Sequence, residues 1–560
     1  MPSRHPIFAL SDEIVDDLAS LFPDLATFQG VEGHDHHLPD LSPEGAAAAL
    51  QAQRSLLARV EGLPPATDRW DRLAVEVARS ILTEEIDHYE QGDHLVDLNS
   101  LSSPAQGLRE VFDHMRRDTR DQWATIVDRL RCVPQALEGY RRSLDAGLEA
   151  GRPVARRQAE AAMTQAGVHA SDDTSAFSSL VQEIDGSRAA SALHGELDDA
   201  SRAARVAFGE FGEYLRTEYL PRAEPVDAVG RERYVRQAHR FLGTDIDPEA
   251  TYAWGWDEVA DLRSALARVA DGIAPGAGVP GALETLTGDP DRRAPDPATF
   301  CDMMQQRIDE ALSQLDGTHF EVPPQIRTTA VKLAPPGGAL GAYYVGPSED
   351  FTRQGTVWWA LASDGPVPLF DQVTTAYHEG FPGHHLQVGM QVSLADRLSR
   401  LHRLWLWKPG IGEGWALYAE RLMNDLGFLD RPDYVFGYLA AQLHRSCRVV
   451  IDIGSHLQLP IPDGQAFHPG EAWTFDTATE MLRDYATLEP DYAESEVTRY
   501  LGWPGQAIAY KVGEQFILDT REELRRRRGA AFDPATLHRD YLEVGPVGID
   551  LMREMLLGAS

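Results

Sequence analysis

The densest group of potential metal ligands and bases in the chain begins at His378. The eight residues from there read HEGFPGHH, so three histidines and one glutamate lie within eight positions. Zinc prefers imidazole nitrogen and carboxylate oxygen, and a catalytic zinc has three protein ligands and one open position for water. The segment therefore predicts a zinc site in which His378 is a ligand and Glu379 is the general base.

The spacing of these histidines departs from the common zinc-peptidase pattern, His-Glu-x-x-His on one helix. The position four residues after His378 is occupied by Pro382, which cannot bind a metal. A helix broken at Pro382 and Gly383 would let His384 become the second ligand, because proline and glycine permit such a break. In an unbroken helix His385 would share a face with His378, but about 10.5 Å of axial rise would separate the two. Geometry favours His384, and His385 remains the alternative.

A third ligand is predicted on a later helix. The segment GEGWALYAE begins at Gly412, after the helix-breaking pair Pro409-Gly410, and carries Glu413 and Glu420 on one face. One of these carboxylates can bind the metal while the other forms a hydrogen bond to a ligand histidine. Glu413 lies at the helix start beside a small residue and is the predicted ligand. Glu420 is predicted to support a ligand or to form a structural ion pair.

Residues further along the chain supply candidates for contacts with the reacting substrate. Hydrolysis of an amide needs a hydrogen-bond donor for the oxyanion besides the metal, and Tyr510 is the predicted donor. A buried tyrosine is more often simply packed, which is the competing interpretation. Arg448 and Arg499 are predicted to clamp a substrate carboxylate. The competing interpretation for both is a salt bridge to Asp452 or Glu496.

The two central motifs, HEGFPGHHLQ and GEGWALYAE, resemble those of the bacterial domain-of-unknown-function 885 family, which is grouped by similarity with the gluzincin metallopeptidases. The resemblance covers nearly the whole chain, through stretches such as HLPDLSPE from His37 and GAYYVGPSED from Gly341. It implies a helical, two-lobed, oligopeptidase-like fold around a deep central channel. In the related enzymes the first Glu of Glu-x-x-Ser-Gln-x-x-Glu binds the metal and a late tyrosine assists the oxyanion. These features support Glu413 and Tyr510.

The elements that must position these residues are mostly helical in pattern. Ser42-Pro43-Glu44 is a typical helix start, and amphipathic runs follow it as far as residue 221. The stretch 270–298 is rich in Gly, Pro and Asp and predicts a flexible segment. Short β-rich segments between 319 and 362 predict a small sheet of three or more strands. Of these, 355–361 is either an ordinary core strand or a strand that pairs with an extended peptide.

The expected fold class is therefore mainly α with a small β-sheet. A chain of 560 residues is longer than one hydrophobic core usually supports, so at least two lobes are expected. The sequence pattern changes from helical to strand-forming near residue 319. This change predicts a helical front lobe, 1–318, and a catalytic lobe, 319–560, which contains the sheet and the zinc-site helices.

The charge and composition of the chain indicate which classes of partner and which cellular location to expect. The chain has 52 Lys and Arg against 87 Asp and Glu, a formal net charge of −35, which disfavours nucleic acid and anionic membranes as partners. The first residues lack the apolar stretch of a signal peptide, and no window reaches the length of a membrane span. Three distant cysteines indicate free thiols rather than a disulfide framework. These features predict a cytoplasmic protein.

The sequence thus predicts a zinc metallohydrolase, either a peptidase or an amide hydrolase, that acts on short peptides or amino-acid conjugates. Two other functions stay open: the same metal site could act on a non-peptide biosynthetic intermediate, or the chain could be an inactive binding protein of the same fold. The oligomeric state and the identity of the substrate are not predicted.

Overall fold

The computed structural model describes residues 4–185, 191–334, 341–361, 363 and 365–558. In this part of the chain the helices are α1 Ile7–Leu21, α2 Pro23–Gln29, α3 Pro43–Glu61, α4 Arg69–Glu90, α5 Pro104–Glu110, α6 Arg120–Glu149, α7 Arg156–Ala170, α8 Ala176–Asp185, α9 His194–Tyr214, α10 Gly230–Leu242, α11 Pro248–Ile273, α12 Gly278–Gly288, α13 Pro297–Leu315, α14 Gln372–Glu379, α15 His384–Ser393, α16 Arg400–Trp405, α17 Pro409–Asp425, α18 Pro432–Leu457, α19 Phe475–Asp484, α20 Pro490–Gly502, α21 Ala509–Arg528, α22 Pro534–Val544 and α23 Ile549–Leu557. The strands are β1 Arg293–Ala294, β2 Ala330–Leu333, β3 Gly341–Val345, β4 Thr356–Ala360 and β5 Val367–Pro368. The predicted mainly helical class with a small sheet is confirmed.

The chain forms two compact units. One comprises Met1–Asp227 together with Arg397–Trp405, and the other comprises Ala228–Asp396 together with Leu406–Ser560. The predicted division between residues 318 and 319 falls inside the second unit. It lies between α13 and β2, where helical sequence gives way to strands.

The first unit is helical, and one of its core clusters contains buried side chains of α5, α6, α7, α8 and α9. Its helix α3 begins at Pro43, as the sequence predicts. Ser42 is the N-cap, and its hydroxyl accepts a hydrogen bond of 3.1 Å from the backbone N–H of Gly45. This bond satisfies one of the free N–H groups at the helix start, which is why serine is favoured there.

The second unit contains a three-stranded sheet in the order β2-β4-β3. Strand β2 is parallel to β4, and β3 is antiparallel to it. The predicted sheet is confirmed, but the suggestion that 355–361 pairs with an extended peptide is wrong. Strand β4 lies in the middle, so both of its edges are already hydrogen-bonded. Trp359 of β4 is buried and donates a 2.9 Å hydrogen bond to Gln372, which fixes the start of α14 against the sheet.

The stretch 270–298 is ordered rather than flexible, so that prediction is wrong. Gly278–Gly288 forms α12, and the side chains of Ala282 and Leu286 are fully buried. Helix α12 packs against α11. Burial of these apolar side chains outweighs the low helix propensity of the glycines and the proline.

Cys132, Cys301 and Cys447 are all free thiols, as predicted. No helix in the described ranges combines the length and the apolar character needed to cross a membrane.

Candidate metal centre

The helix that carries His378 is interrupted immediately after Glu379. Helix α14 ends at Glu379, and α15 begins at His384. In the turn between them the backbone N–H of Gly383 donates a 3.0 Å hydrogen bond to the carbonyl oxygen of Tyr377. A Cβ atom at Gly383 would overlap with the carbonyl oxygen of His378, so only glycine fits this close approach. The predicted break at Pro382-Gly383 is confirmed.

A tryptophan from a separate helix holds this turn in place. The indole Nε1 of Trp415, on α17, donates a 2.9 Å hydrogen bond to the carbonyl oxygen of Pro382. Trp415 itself is almost fully buried, with 1% of its surface exposed. The sequence alone predicts no role for Trp415. Its position two residues after Glu413, on the helix of the predicted ligand, was the available signal.

Because the helix is interrupted between Glu379 and His384, the side chain of His384 lies beside those of His378 and Glu413. The Oε2 atom of Glu413 lies 3.5 Å from Nε2 of His378 and 3.4 Å from Nε2 of His384. One ligand atom from each of the three residues lies within 4.8 Å of the others. Ligands about 2.0–2.1 Å from a tetrahedral zinc are about 3.3 Å apart. The two distances to Glu413 match this spacing, and two imidazoles with one carboxylate have the chemistry to hold one zinc ion.

Glu420 orients His378 from the side opposite to Glu413. Its Oε1 accepts a 2.8 Å hydrogen bond from Nδ1 of His378, and its Oε2 accepts a 2.6 Å bond from the hydroxyl of Thr374. Since Nδ1 carries the proton in this bond, Nε2 is left to face Glu413 and a metal. Thr374 was not among the predicted site residues, although its position one helical turn before His378 is the sequence signal for it.

The electrostatics of the group favour a cation. Burial opposes a charged His378, but hydrogen bonds to Glu413 and Glu420 outweigh it and raise the pKa of this histidine to about 10. Burial also opposes ionisation of Glu413, yet the charges and hydrogen bonds of His384 and His378 hold the pKa of this carboxyl far below its usual value. The position between these side chains thus stabilises positive charge, as a metal site must.

His385, the alternative ligand, is turned away and fully engaged elsewhere. Its Nε2 donates a 2.8 Å hydrogen bond to the carbonyl oxygen of Ile326, and its Nδ1 accepts a 2.9 Å bond from the hydroxyl of Tyr344. Burial lowers its pKa to about 4, so it is neutral at pH 7. His384 differs, because its Nδ1 is buried and has no hydrogen-bond partner in the part of the chain that the structure describes.

Glu379 lies at the edge of the ligand group. Its Oε1 is 4.0 Å from Nε2 of His378, and 12% of its side-chain surface is exposed. Burial raises the pKa of Glu379, while the nearby positive charges of His378 and His384 oppose this. The carboxyl group is therefore adjacent to the ligand atoms, where a general base must be.

Tyr510 is brought near Glu413 by a close crossing of α17 and α21. Cβ atoms at Gly414 or Gly513 would clash with the other helix, so these glycines let the two backbones touch. Tyr510 precedes Gly513 by three residues, and Glu413 is next to Gly414. Burial, and then the charge of Glu413, raise the pKa of Tyr510, so it keeps its proton at neutral pH and can donate a hydrogen bond.

Arg448 and Arg499 both pair with Glu496, as the competing interpretation had it. Nη2 of Arg448 lies 2.7 Å from Oε2 of Glu496, and Nε of Arg499 lies 3.0 Å from Oε1. Arg499 also donates a 2.6 Å hydrogen bond to Gln506, so its guanidinium is largely satisfied inside the protein. Asp452, the other suggested partner, instead accepts from the hydroxyl of Tyr234 and the backbone of Gly505.

These features define a class: a mainly helical protein whose interrupted His-Glu helix meets a glutamate helix at a candidate metal site. The chain belongs to the family described as bacterial protein of unknown function (DUF885), which matches residues 23–556.

Two solved structures share the fold of this chain. One is the crystal structure of a putative lipoprotein from Colwellia psychrerythraea, with a TM-score of 0.84, 20% identity and 98% of both chains covered. The other is a putative lipoprotein of unknown function from Shewanella oneidensis, with a TM-score of 0.74 and 17% identity, covering 98% of this chain and 99% of that one. No curated protein matches the sequence.

Proposed function

We propose that this protein is a zinc-dependent hydrolase that cleaves amide bonds in short peptides or amino-acid conjugates. The observation that carries the proposal is the convergence of His378, His384 and Glu413, whose ligand atoms lie within 4.8 Å of one another. Two imidazoles and one glutamate form a ligand set typical of hydrolytic zinc, with a fourth position left for water. The hydrogen bond from His378 to Glu420 adds the supporting carboxylate that such histidines usually have.

In the proposed hydrolysis, each residue of the site has a separate role. Zinc held by His378, His384 and Glu413 would supply a lowered water pKa and a polarised carbonyl group. Glu379 accepts the proton of the attacking water on its carboxylate oxygen and delivers it to the nitrogen of the leaving amine. Tyr510 keeps its proton and donates a hydrogen bond to the oxygen that becomes negative.

A relation to the gluzincin metallopeptidases is part of the same proposal. It is supported by the His378-Glu379 pair and by the seven-residue spacing from Glu413 to Glu420, the two positions of the related Glu-x-x-Ser-Gln-x-x-Glu motif. The departure at Pro382 is compatible with it, because the turn before His384 restores the short distance between the two histidines.

Metal analysis together with a substrate panel tests the proposal. Protein purified without chelator is expected to contain about one zinc per chain and to hydrolyse some dipeptides, tripeptides or N-acyl amino acids. A chelator should abolish turnover and added zinc should restore it. Glu379→Gln should keep the zinc and lose about 100-fold or more of kcat. The matched control is Glu310→Gln, at an exposed position on α13.

Two results would contradict the proposal. Absence of zinc and of any other transition metal from the purified protein would exclude the metal site. Full turnover by Glu379→Gln would exclude Glu379 as the general base, whatever the metal content.

A further inference from the structure

A group of three arginines lies on two neighbouring helices of the second unit. Arg445 and Arg448 are one turn apart on α18, and Arg499 is on α20, which packs against α18. His444 is part of the same group but adds no charge, since burial lowers its pKa to about 3. This concentration of positive charge stands out in a chain of net charge −35.

One carboxylate, that of Glu496, pairs with two of these arginines. Its Oε2 accepts hydrogen bonds from Arg448 (2.7 Å), Arg499 (3.0 Å) and the hydroxyl of Tyr500 (2.7 Å). Burial opposes its ionisation, but the charges of Arg499 and Arg448 hold the pKa of Glu496 well below its usual range. Glu496 is therefore saturated by two guanidinium groups and cannot neutralise a third.

Arg445 is the third arginine of the group, and Glu496 does not pair with it. Among the described residues it forms no ion pair, and its one hydrogen bond is a long contact of 3.4 Å from Nη1 to the carbonyl oxygen of Ala441. Its Nε atom is buried and has no hydrogen-bond partner there.

A second nitrogen in the group is also without a partner. The Arg448 side chain is 6% exposed, and its Nη1 is buried with no acceptor in the described part of the chain. Leaving a buried charged donor unsatisfied is costly, so two such donors one helical turn apart indicate a site for an acceptor that comes from outside.

The two free nitrogens belong to side chains beside the candidate metal centre. The Arg448 guanidinium lies over the ring of Tyr510, 4.7 Å from its centroid. Arg445 precedes Arg448 by three residues on α18, so the two side chains share one face of this helix. Arg445 therefore lies on the face of α18 from which Arg448 covers Tyr510, the predicted oxyanion donor.

We propose that Arg445 and Arg448 bind the free terminal carboxylate of the substrate. Guanidinium groups hold carboxylates through paired, charge-assisted hydrogen bonds, and the two unsatisfied donors provide them. The inference rests on the proposed hydrolase function and names its substrate class. The substrates are short peptides or N-acyl amino acids with an ionised C-terminus, cleaved near that end. Arg499 keeps Glu496 in place rather than contacting the substrate.

A matched pair of ligands tests this assignment. The pair is one short peptide with a free carboxylate and the same peptide with a C-terminal amide, taken from the dipeptides and tripeptides of the substrate panel. The free acid should have a kcat/KM about 10- to 100-fold higher. Arg445→Gln should remove most of this preference, by weakening the acid and leaving the amide nearly unchanged. Arg445→Lys should retain part of it. The control is Arg525→Gln, at an exposed arginine of α21.

Binding measurements keep the two proposals separate. The same peptides are titrated calorimetrically into zinc-loaded Glu379→Gln protein, with and without Arg445→Gln, after thermal unfolding has shown that each variant is folded. Equal affinity for acid and amide, or no effect of Arg445→Gln on either, overturns the carboxylate site even if amide bonds are cleaved. A clear preference for the acid without any turnover by the wild type would support the carboxylate site and count against the hydrolase.

Discussion

The carboxylate of Glu420 accepts a 2.8 Å hydrogen bond from Nδ1 of His378 and thereby fixes which ring nitrogen faces Glu413. The two residues are 42 positions apart in sequence and lie on different helices, α17 and α14. The bond is buried and continues to the hydroxyl of Thr374. The hydrogen bond orients the imidazole ring of His378 without a bound metal ion.

Removal of this support is expected to weaken metal binding without removing a ligand. Glu420→Ala should lower zinc affinity by about 10- to 100-fold, as loss of a carboxylate behind a ligand histidine usually does. Competition with a chromophoric chelator measures the affinity. Thr374→Val should have a smaller effect in the same direction. Unchanged affinity in Glu420→Ala would mean that the hydrogen bond does not prepare His378 for a metal.

The two adjacent histidines should respond in opposite ways to substitution. His384→Ala should abolish stoichiometric zinc binding, because it removes a ligand. His385→Ala should keep zinc but lower the free energy of unfolding by about 1–3 kcal/mol, because it leaves Tyr344 and the carbonyl of Ile326 without a buried partner. Zinc content and urea unfolding measure the two effects. Loss of zinc in His385→Ala alone would reverse the assignment.

The turn that breaks the helix should not tolerate a larger residue. Gly383→Ala places a Cβ against the carbonyl of His378 and should cost about 1–3 kcal/mol of unfolding free energy, with loss of zinc. Gly272→Ala is the control, because Gly272 lies in α11 with nothing within 4 Å of its Cβ position. That substitution should be neutral or slightly stabilising. Equal stability of the two variants would contradict the crowding at Gly383.

Tyr510→Phe should separate catalysis from metal binding. If the hydroxyl donates to the oxyanion, its removal should lower kcat by about 100- to 1000-fold, with little change in KM and no loss of zinc. Steady-state kinetics on a hydrolysed peptide, together with zinc analysis, measure this. Wild-type kcat in the variant would show that Tyr510 is only packed at this position.

Stability is expected to fall in mild acid because buried histidines stay neutral in the folded state. Burial lowers the pKa of His538 to about 4, and its Nε2 accepts a 2.9 Å hydrogen bond from the hydroxyl of Tyr418. The unfolded chain binds this proton near pH 6.5. The stability contributed by His538 is therefore complete above that pH and is lost as pH falls through about 4.

His538→Gln should flatten this part of the stability curve. Urea unfolding at several values between pH 6.5 and pH 4 measures the slope, to which His538 contributes up to about 3 kcal/mol over the range. His239→Gln, at a histidine with 46% side-chain exposure, is the control. An unchanged slope in His538→Gln would show that folding does not lower the pKa of His538.

Local sequence determined the parts of the site that depend on neighbours along the chain. Proline and glycine at 382 and 383 end one helix before His384, and a serine with a following proline begins α3 at Pro43. The spacing of Glu413 and Glu420 places both on one face of α17, and short β-rich runs give the small sheet. Such features follow from backbone geometry and helix periodicity, which a sequence displays directly.

Only the tertiary structure decided which of these groups meet. The approach of Glu413 to both histidines depends on how α14 and α17 pack, and the nearness of Tyr510 depends on the glycine crossing of α17 and α21. The distinction between His384 and His385 rests on the backbone of Ile326, and the pairing of Arg448 and Arg499 rests on Glu496. These contacts join residues up to about a hundred positions apart. They depend on how the helices pack and on which of several possible hydrogen-bond partners each side chain reaches. Local sequence patterns predict neither of these.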